Sequence, residues 1–237
     1  MKNSKCLLLS VLTFLIIPVS YSATPDTTSI IDNIYNYEFF KAKDRLSKLS
    51  GNDFLVREAL DLEIKWWMSL ENGNQNQFSD FLTTLNQMEN ADKNQLSDII
   101  LLTYRMRYYA SNNRYLKIPF LFVKIQNQIS KVDIDQVRMS GNENWELFTL
   151  YKSFLALIQK SYFTNIFSRD HSGEEQLIEN IERIAHNGSP SNRTLGTYFL
   201  MKYYLEIGKD RLKAIDYLTV LHKQYPNNLI FTQLLTN

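Results

Sequence analysis

The chain has 237 residues, 44% of them hydrophobic and 22% charged, with a formal net charge of +1 and a single cysteine. Near-neutrality without basic runs removes the electrostatic footprint of a nucleic-acid binder, so no nucleic-acid partner is expected. One cysteine allows no internal disulfide, and the length suits one large domain or a continuous stack of repeats.

Lys2 and Lys5 precede an apolar run, Cys6 to Ile17, that Pro18 breaks. This is the order of a signal peptide, and the small residues Ser20 and Ser22 stand where a signal peptidase reads. Residues 1–22 are expected to be a leader cleaved after Ser22. The run is well short of the roughly 20 apolar residues that span a bilayer, so no integral membrane segment is expected after cleavage. A lipoprotein would need its cysteine after the run; Cys6 stands before it, and no lipid anchor is expected. Removal of Lys2 and Lys5 takes the net charge of residues 23–237 to −1 and leaves them without cysteine. Exported eukaryotic domains favour disulfides, so a bacterial periplasmic or secreted setting is expected.

From there on the apolar spacing is helical throughout. The first helix is predicted over Ser29–Leu49, ended by Ser50-Gly51-Asn52, and Asp53 caps a second that runs to Glu71. Gln75–Glu89 and Ala91–Ala110 follow. The latter is apolar on nearly every side (Ile99, Leu102, Tyr104, Met106, Tyr109), as a helix buried between neighbours must be. Tyr115–Val132 is next, with Pro119 near its start. Val132 to Asn144 reads as the longest connection, and Trp145–Phe163 as another helix. Ser172 with Glu175 forms a capping box that opens a helix to His186. Ser189-Pro190 opens one that reaches Ile207, and two more close the chain. Gly196 falls inside a helix, where it lets a neighbouring helix come close.

In the closing segment Ala214 is a small residue early in a helix, Tyr217, Leu218 and Leu221 follow on its packing face, and Pro226 with Asn227-Asn228 comes after. This segment resembles the tetratricopeptide repeat (TPR) family, a helix hairpin of about 34 residues with a small residue early in its second helix and a proline after it. Leu200 and Tyr204 match first-helix positions if one extra residue is allowed between Gly208 and Ala214. A weaker echo lies at Tyr37–Lys43, with Ala42 in the small position and Leu46 and Leu49 after it. The interval from Ala42 to Ala214 divides about equally well into five units or four. The resemblance implies an all-α fold, a right-handed α-solenoid of about five antiparallel helix pairs over residues 23–237. It is similar to the exported, degenerate TPR-like proteins of Bacteroidetes-type bacteria, and by that likeness a protein or peptide partner is expected in the groove of the stack.

The residues argue against most chemistries. Glu38, Glu58, Glu63 and Glu206 sit in apolar surroundings, as the acid of a helical cell-wall hydrolase would, but no flanking motif lifts any of them. His171, His186 and His222 lack the i, i+4 partner of a helix-borne zinc site. Asp170-His171-Ser172-Gly173-Glu174-Glu175 reads as a helix start with acids favourable to its dipole, and Asp133-Ile134-Asp135 is too short for a calcium loop. No catalytic, cofactor-binding or metal residue is predicted, and no enzyme. The aromatics, 13% of the chain, come in pairs such as Trp66-Trp67, Tyr108-Tyr109 and Tyr203-Tyr204. An exposed row of Trp66, Trp67 and Tyr108 would stack on sugar rings, so a glycan or nutrient is the alternative ligand. Tyr204 and Tyr217 read as core, Tyr203 as a surface candidate. Asn187 and Asn192 begin N-glycosylation triplets that matter only in a eukaryote.

Overall fold

The computed structural model describes residues 25–49, 54–72, 75–90, 95–162 and 173–236. The signal-peptide reading, Asp53, His171 and Ser172 lie outside them. Among the described residues there is no strand and there are twelve α-helices. They are α1 (Pro25–Tyr35), α2 (Phe39–Lys48), α3 (Phe54–Asn72), α4 (Gln75–Glu89), α5 (Gln95–Ser111), α6 (Ile118–Lys131), α7 (Ile134–Met139), α8 (Asn142–Tyr162), α9 (Glu174–Asn187), α10 (Pro190–Lys202), α11 (Arg211–Gln224) and α12 (Leu229–Thr236). Among the described residues no helix is long and apolar enough to cross a membrane.

Sequential helices pack side by side: α1 on α2, α3 on α4, α5 on α6, α8 on α9, α9 on α10 and α10 on α11. The all-round apolar helix, α5, is buried as its sequence requires, with Ile99, Leu102, Tyr104, Met106 and Tyr108 all in the core. α6 shows Ile118, Phe122 and Ile125 to that core and turns its other side outward. Gly196 of α10 lies against α9: a Cβ there would meet backbone and side-chain atoms of Ala185 at 3.1 Å. Ala42 and Ala214, the small residues of the two echoes, are both buried, each on the second helix of a hairpin.

Three boundaries depart from expectation. The predicted helix over Ser29–Leu49 is two helices, because Tyr37 takes a left-handed φ of 62° and ends α1. A non-glycine residue leaves no sequence signature of that turn. The long connection after Val132 holds α7, whose start is capped by Asp133: its carboxylate accepts from the amides of Asp135 (3.0 Å) and Gln136 (3.1 Å). The N-cap of α9 is Gly173, at φ 78° and without a side-chain cap, one position after the Ser172 of the expected capping box.

Two further features tie the layers. Between α10 and α11 the chain makes a π turn, Tyr203–Ile207, closed by the Gly208 amide donating to the Tyr203 carbonyl at 2.8 Å. A π turn holds one residue more than an α turn; it lies upstream of Gly208, whereas the extra residue was expected between Gly208 and Ala214. The buried Glu146 of α8 accepts from the Ser189 amide (2.9 Å) and from Asn192 Nδ2 (3.1 Å), supplying from another helix the cap and the negative charge that the start of α10 lacks.

The ends of the described chain meet. α1 packs on α10, Asn228 Nδ2 donates to the Tyr35 carbonyl at 2.9 Å, and the Tyr225 hydroxyl reaches Asp32 at 3.3 Å. Tyr35 lies 5.0 Å from Tyr225 and 5.4 Å from Trp67, ring centre to ring centre, and Trp67 packs on Phe231. Units that touch only their sequence neighbours would leave these ends apart.

Candidate functional site

Two regions stand out, one at the centre and one on the outside. At the centre, Glu63 of α3 and Arg107 of α5 are buried to the last atom or nearly so. Glu63 accepts from the Tyr104 hydroxyl at 2.5 Å and the Trp67 indole at 2.9 Å, while Arg107 Nη1 stands 3.5 Å from it. The guanidinium lies over the Trp66 ring at 4.1 Å and near the Tyr104 ring at 5.1 Å, two cation–π contacts in a desolvated setting. Burial raises the Glu63 carboxyl above its ordinary range, and Arg107, Tyr104 and Trp67 pull it back only in part. Tyr35, Tyr104, Tyr151 and Tyr198, from α1, α5, α8 and α10, lie within electrostatic reach of the pair; desolvation pushes each phenol well above its usual value.

On the outside, α6 carries a second apolar row. Leu116, in the 3-10 turn Tyr115–Lys117 that leads into it, and Phe120 and Val123 on the helix itself are exposed by 88%, 78% and 59%. Lys117, Lys124 and Lys131 recur every seven residues and run beside that row, all exposed. No acidic residue occurs between Arg114 and Val132. Large exposed apolar side chains in a row, rimmed by one sign of charge, are the mark of a contact surface.

A third feature is an apolar cavity of about 210 Å³ between α10, α11 and α12, lined by Met201, Leu205, Ala214, Ile215, Leu218 and Leu234, with Arg211 at its edge. Next to it Lys202 and Glu206 form a buried i, i+4 pair across the start of the π turn. Burial lowers the Lys202 ammonium, and Glu206 opposes that change.

The expected site residues fall as follows. Of the four glutamates, Glu63 and Glu206 are buried and paired, Glu38 is a partly exposed partner of Lys41 at 2.7 Å, and the side chain of Glu58 lies outside the described residues. Trp66, Trp67 and Tyr108 are buried, so they form no stacking row for sugar rings; their neighbours are Phe78, Phe81, Tyr35 and Phe231. Tyr203, the expected surface tyrosine, is buried too, because its hydroxyl reaches back to Glu174 of α9 at 2.5 Å. Tyr204 is core as read, and Tyr217 stacks on it half-buried. Asn192 is fully buried against Glu143 and Glu146 and presents no glycan acceptor, whereas Asn187 is exposed. His186 is exposed, and His222 is half-buried on α11. Sequence reasoning misses Arg107, although a lone arginine between Met106 and Tyr108 on a helix apolar all round is the signal that finds it. It misses the outer row of α6, Leu116, Phe120 and Val123, because helical spacing alone does not say which apolar residues a neighbour covers. No protein-family model matches the chain, and no curated protein or solved structure matches it.

Proposed function

We propose that the chain is a non-catalytic, exported, TPR-like scaffold that binds a protein partner in the bacterial cell envelope, and that the outer side of α6 is its docking face. The hairpins α1–α2, α3–α4, α5–α6, α8–α9 and α10–α11 are read as five units of a right-handed array wound tightly enough for its ends to touch. In such an array the inward side is filled by Tyr35, Trp67, Tyr198 and Phe231. We therefore place the partner on the outside rather than in a groove.

The observation that carries the reading is the apolar row Leu116, Phe120 and Val123 beside the basic row Lys117, Lys124 and Lys131. Its complement is an amphipathic segment with an apolar stripe and flanking aspartates or glutamates. The apolar row supplies affinity; the lysines steer the encounter and weaken it as salt rises.

The test uses the secreted mature chain cross-linked in envelope extract. One acidic partner should be captured by the wild type and lost in Phe120→Ser and in Lys124→Glu, both of which should keep the wild-type fold. Capture unchanged in both variants overturns the docking face. Binding to anionic phosphatidylglycerol vesicles, lost in the same variants with no protein partner captured, would make the face a membrane surface instead. Turnover of a peptidoglycan substrate by the pure chain would overturn the non-catalytic reading. N-terminal sequencing of the exported protein tests cleavage after Ser22.

A further inference from the structure

The cation at the centre has more donors than the surrounding side chains satisfy. Arg107 is fully buried, and a guanidinium carries five N–H donors and no acceptor. Nη1 faces Glu63 at a long 3.5 Å, and Glu63 is already engaged more closely by Tyr104 and Trp67. Among the described residues, Nε and Nη2 have no hydrogen-bond partner. These two N–H groups share one edge of the guanidinium, the edge that grips two oxygens of a carboxylate or phosphate side by side. Trp66 lies against the face of the same group at 4.1 Å and limits how far it can turn.

The deficit continues around the arginine. The hydroxyls of Tyr35 and Tyr198 are buried and likewise without a partner among the described residues, as is the indole N–H of Trp66. The Arg107 charge reaches both hydroxyls, opposing the rise that burial imposes on them. Folded proteins pair roughly nine in ten or more of their buried polar groups. Here unpaired donors on α1, α3 and α10 lie within electrostatic or ring contact of one incompletely neutralised cation on α5, and together they call for an acceptor of negative charge.

We propose that the centre of the molecule is a binding site for a small oxyanion, held by the Nε and Nη2 edge of Arg107 and by the hydroxyls of Tyr35 and Tyr198. The chemistry is shared by a small carboxylate and by inorganic phosphate, and the planar edge suits either. The tyrosines would serve as hydroxyl donors to its oxygens. This site is independent of the outer face of α6, whose lysines would also attract anions but through exposed point charges.

The experiment titrates the intact mature chain, dialysed into chloride buffer at fixed ionic strength, with sodium acetate and separately with sodium phosphate. Melting temperature and tryptophan fluorescence are the readouts, since Trp66 and Trp67 line the site. One of the two anions should give a saturable response, and which one names the ligand class. Tyr198→Phe and Tyr35→Phe keep the ring and its packing while removing one hydroxyl, and each should weaken binding about tenfold. Arg107→Lys, which keeps the charge but loses the two-pronged edge, should weaken it further, whereas Lys117→Ala with Lys124→Ala should leave it unchanged. No saturable response to either anion, or equal affinity in both tyrosine variants and the wild type, would overturn the site and leave water as the filler of these donors.

Discussion

Arg107 and Phe120 belong to the same hairpin, and each sits where its chemistry alone would not put it. The arginine is buried completely on α5, while the phenylalanine on α6 is 78% exposed. Position in the stack decides both. α5 lies between helices on all sides, so whatever its sequence places at position 107 is desolvated, and Glu63, Tyr104 and Trp66 are recruited to make that tolerable. α6 lies at the outside, packing mainly on α5, so only the side bearing Ile118, Phe122 and Ile125 is covered. The lesson is that a charge can be a core residue when an aromatic face and a carboxylate reach it. A large apolar side chain can equally be surface when nothing folds over it. Covering Phe120 would yield about 1.5–3 kcal/mol of burial, which the isolated chain leaves unused and a partner would collect.

The strongest way to break this comparison is to remove the buried cation. Arg107→Ala leaves Glu63 as an uncompensated buried charge and strips the Trp66 face, so a loss of about 3–5 kcal/mol is expected in urea unfolding. A loss below about 1 kcal/mol would mean that the centre is wetter than its burial implies. Next in size is Ile125→Ala on the inner side of α6, expected to cost about 2–4 kcal/mol through the cavity it leaves.

A subtler change concerns pH. Glu63 has its carboxyl raised in the folded state, first by burial, so the native protein holds this proton to higher pH than the unfolded chain does. The stability that this group contributes is fully present below the ordinary carboxylate value and is lost as pH rises through the raised one. A gap of one pH unit between those two values corresponds to about 1.4 kcal/mol. Wild type and Glu63→Gln, compared by urea midpoint at a series of pH values, should therefore diverge over that window. The wild type alone should lose stability from this group as pH rises. A parallel pair of curves would place the carboxyl at its unfolded value.

Helix content was legible because 3.6-residue apolar spacing runs through the whole chain, and the close approach at Gly196 was legible because glycine inside a helix has few other reasons to be there. The turn at Tyr37 was not, since a left-handed tyrosine looks like any other. The centre was not legible either: Glu63 and Arg107 are 44 positions apart, and no spacing rule connects a carboxylate on one hairpin to a guanidinium on the next. The aromatic pairs misled for a related reason. Adjacent residues on a helix point about 100° apart, which exposes one of them only if the helix has an open side. α3 buries both Trp66 and Trp67, and α5 buries Tyr108 as well.

The smallest stability effect is the one that bears most on function. Phe120→Ser should change the unfolding free energy by no more than about 0.5 kcal/mol, because the side chain has little to lose. Paired with Ile125→Ala on the same helix, it separates the two sides of α6: one holds the fold, the other does not. The same Phe120→Ser chain should lose its partner while melting like the wild type, a combination that a structural role for Phe120 cannot produce. Lys124→Glu by itself should slow association and weaken its dependence on salt, because steering by the basic row is a long-range effect that screening already weakens. If Phe120→Ser instead destabilises the chain by several kcal/mol, the outer row is covered in solution. The comparison between inside and outside that α5 and α6 present would then have to be redrawn around whatever covers it.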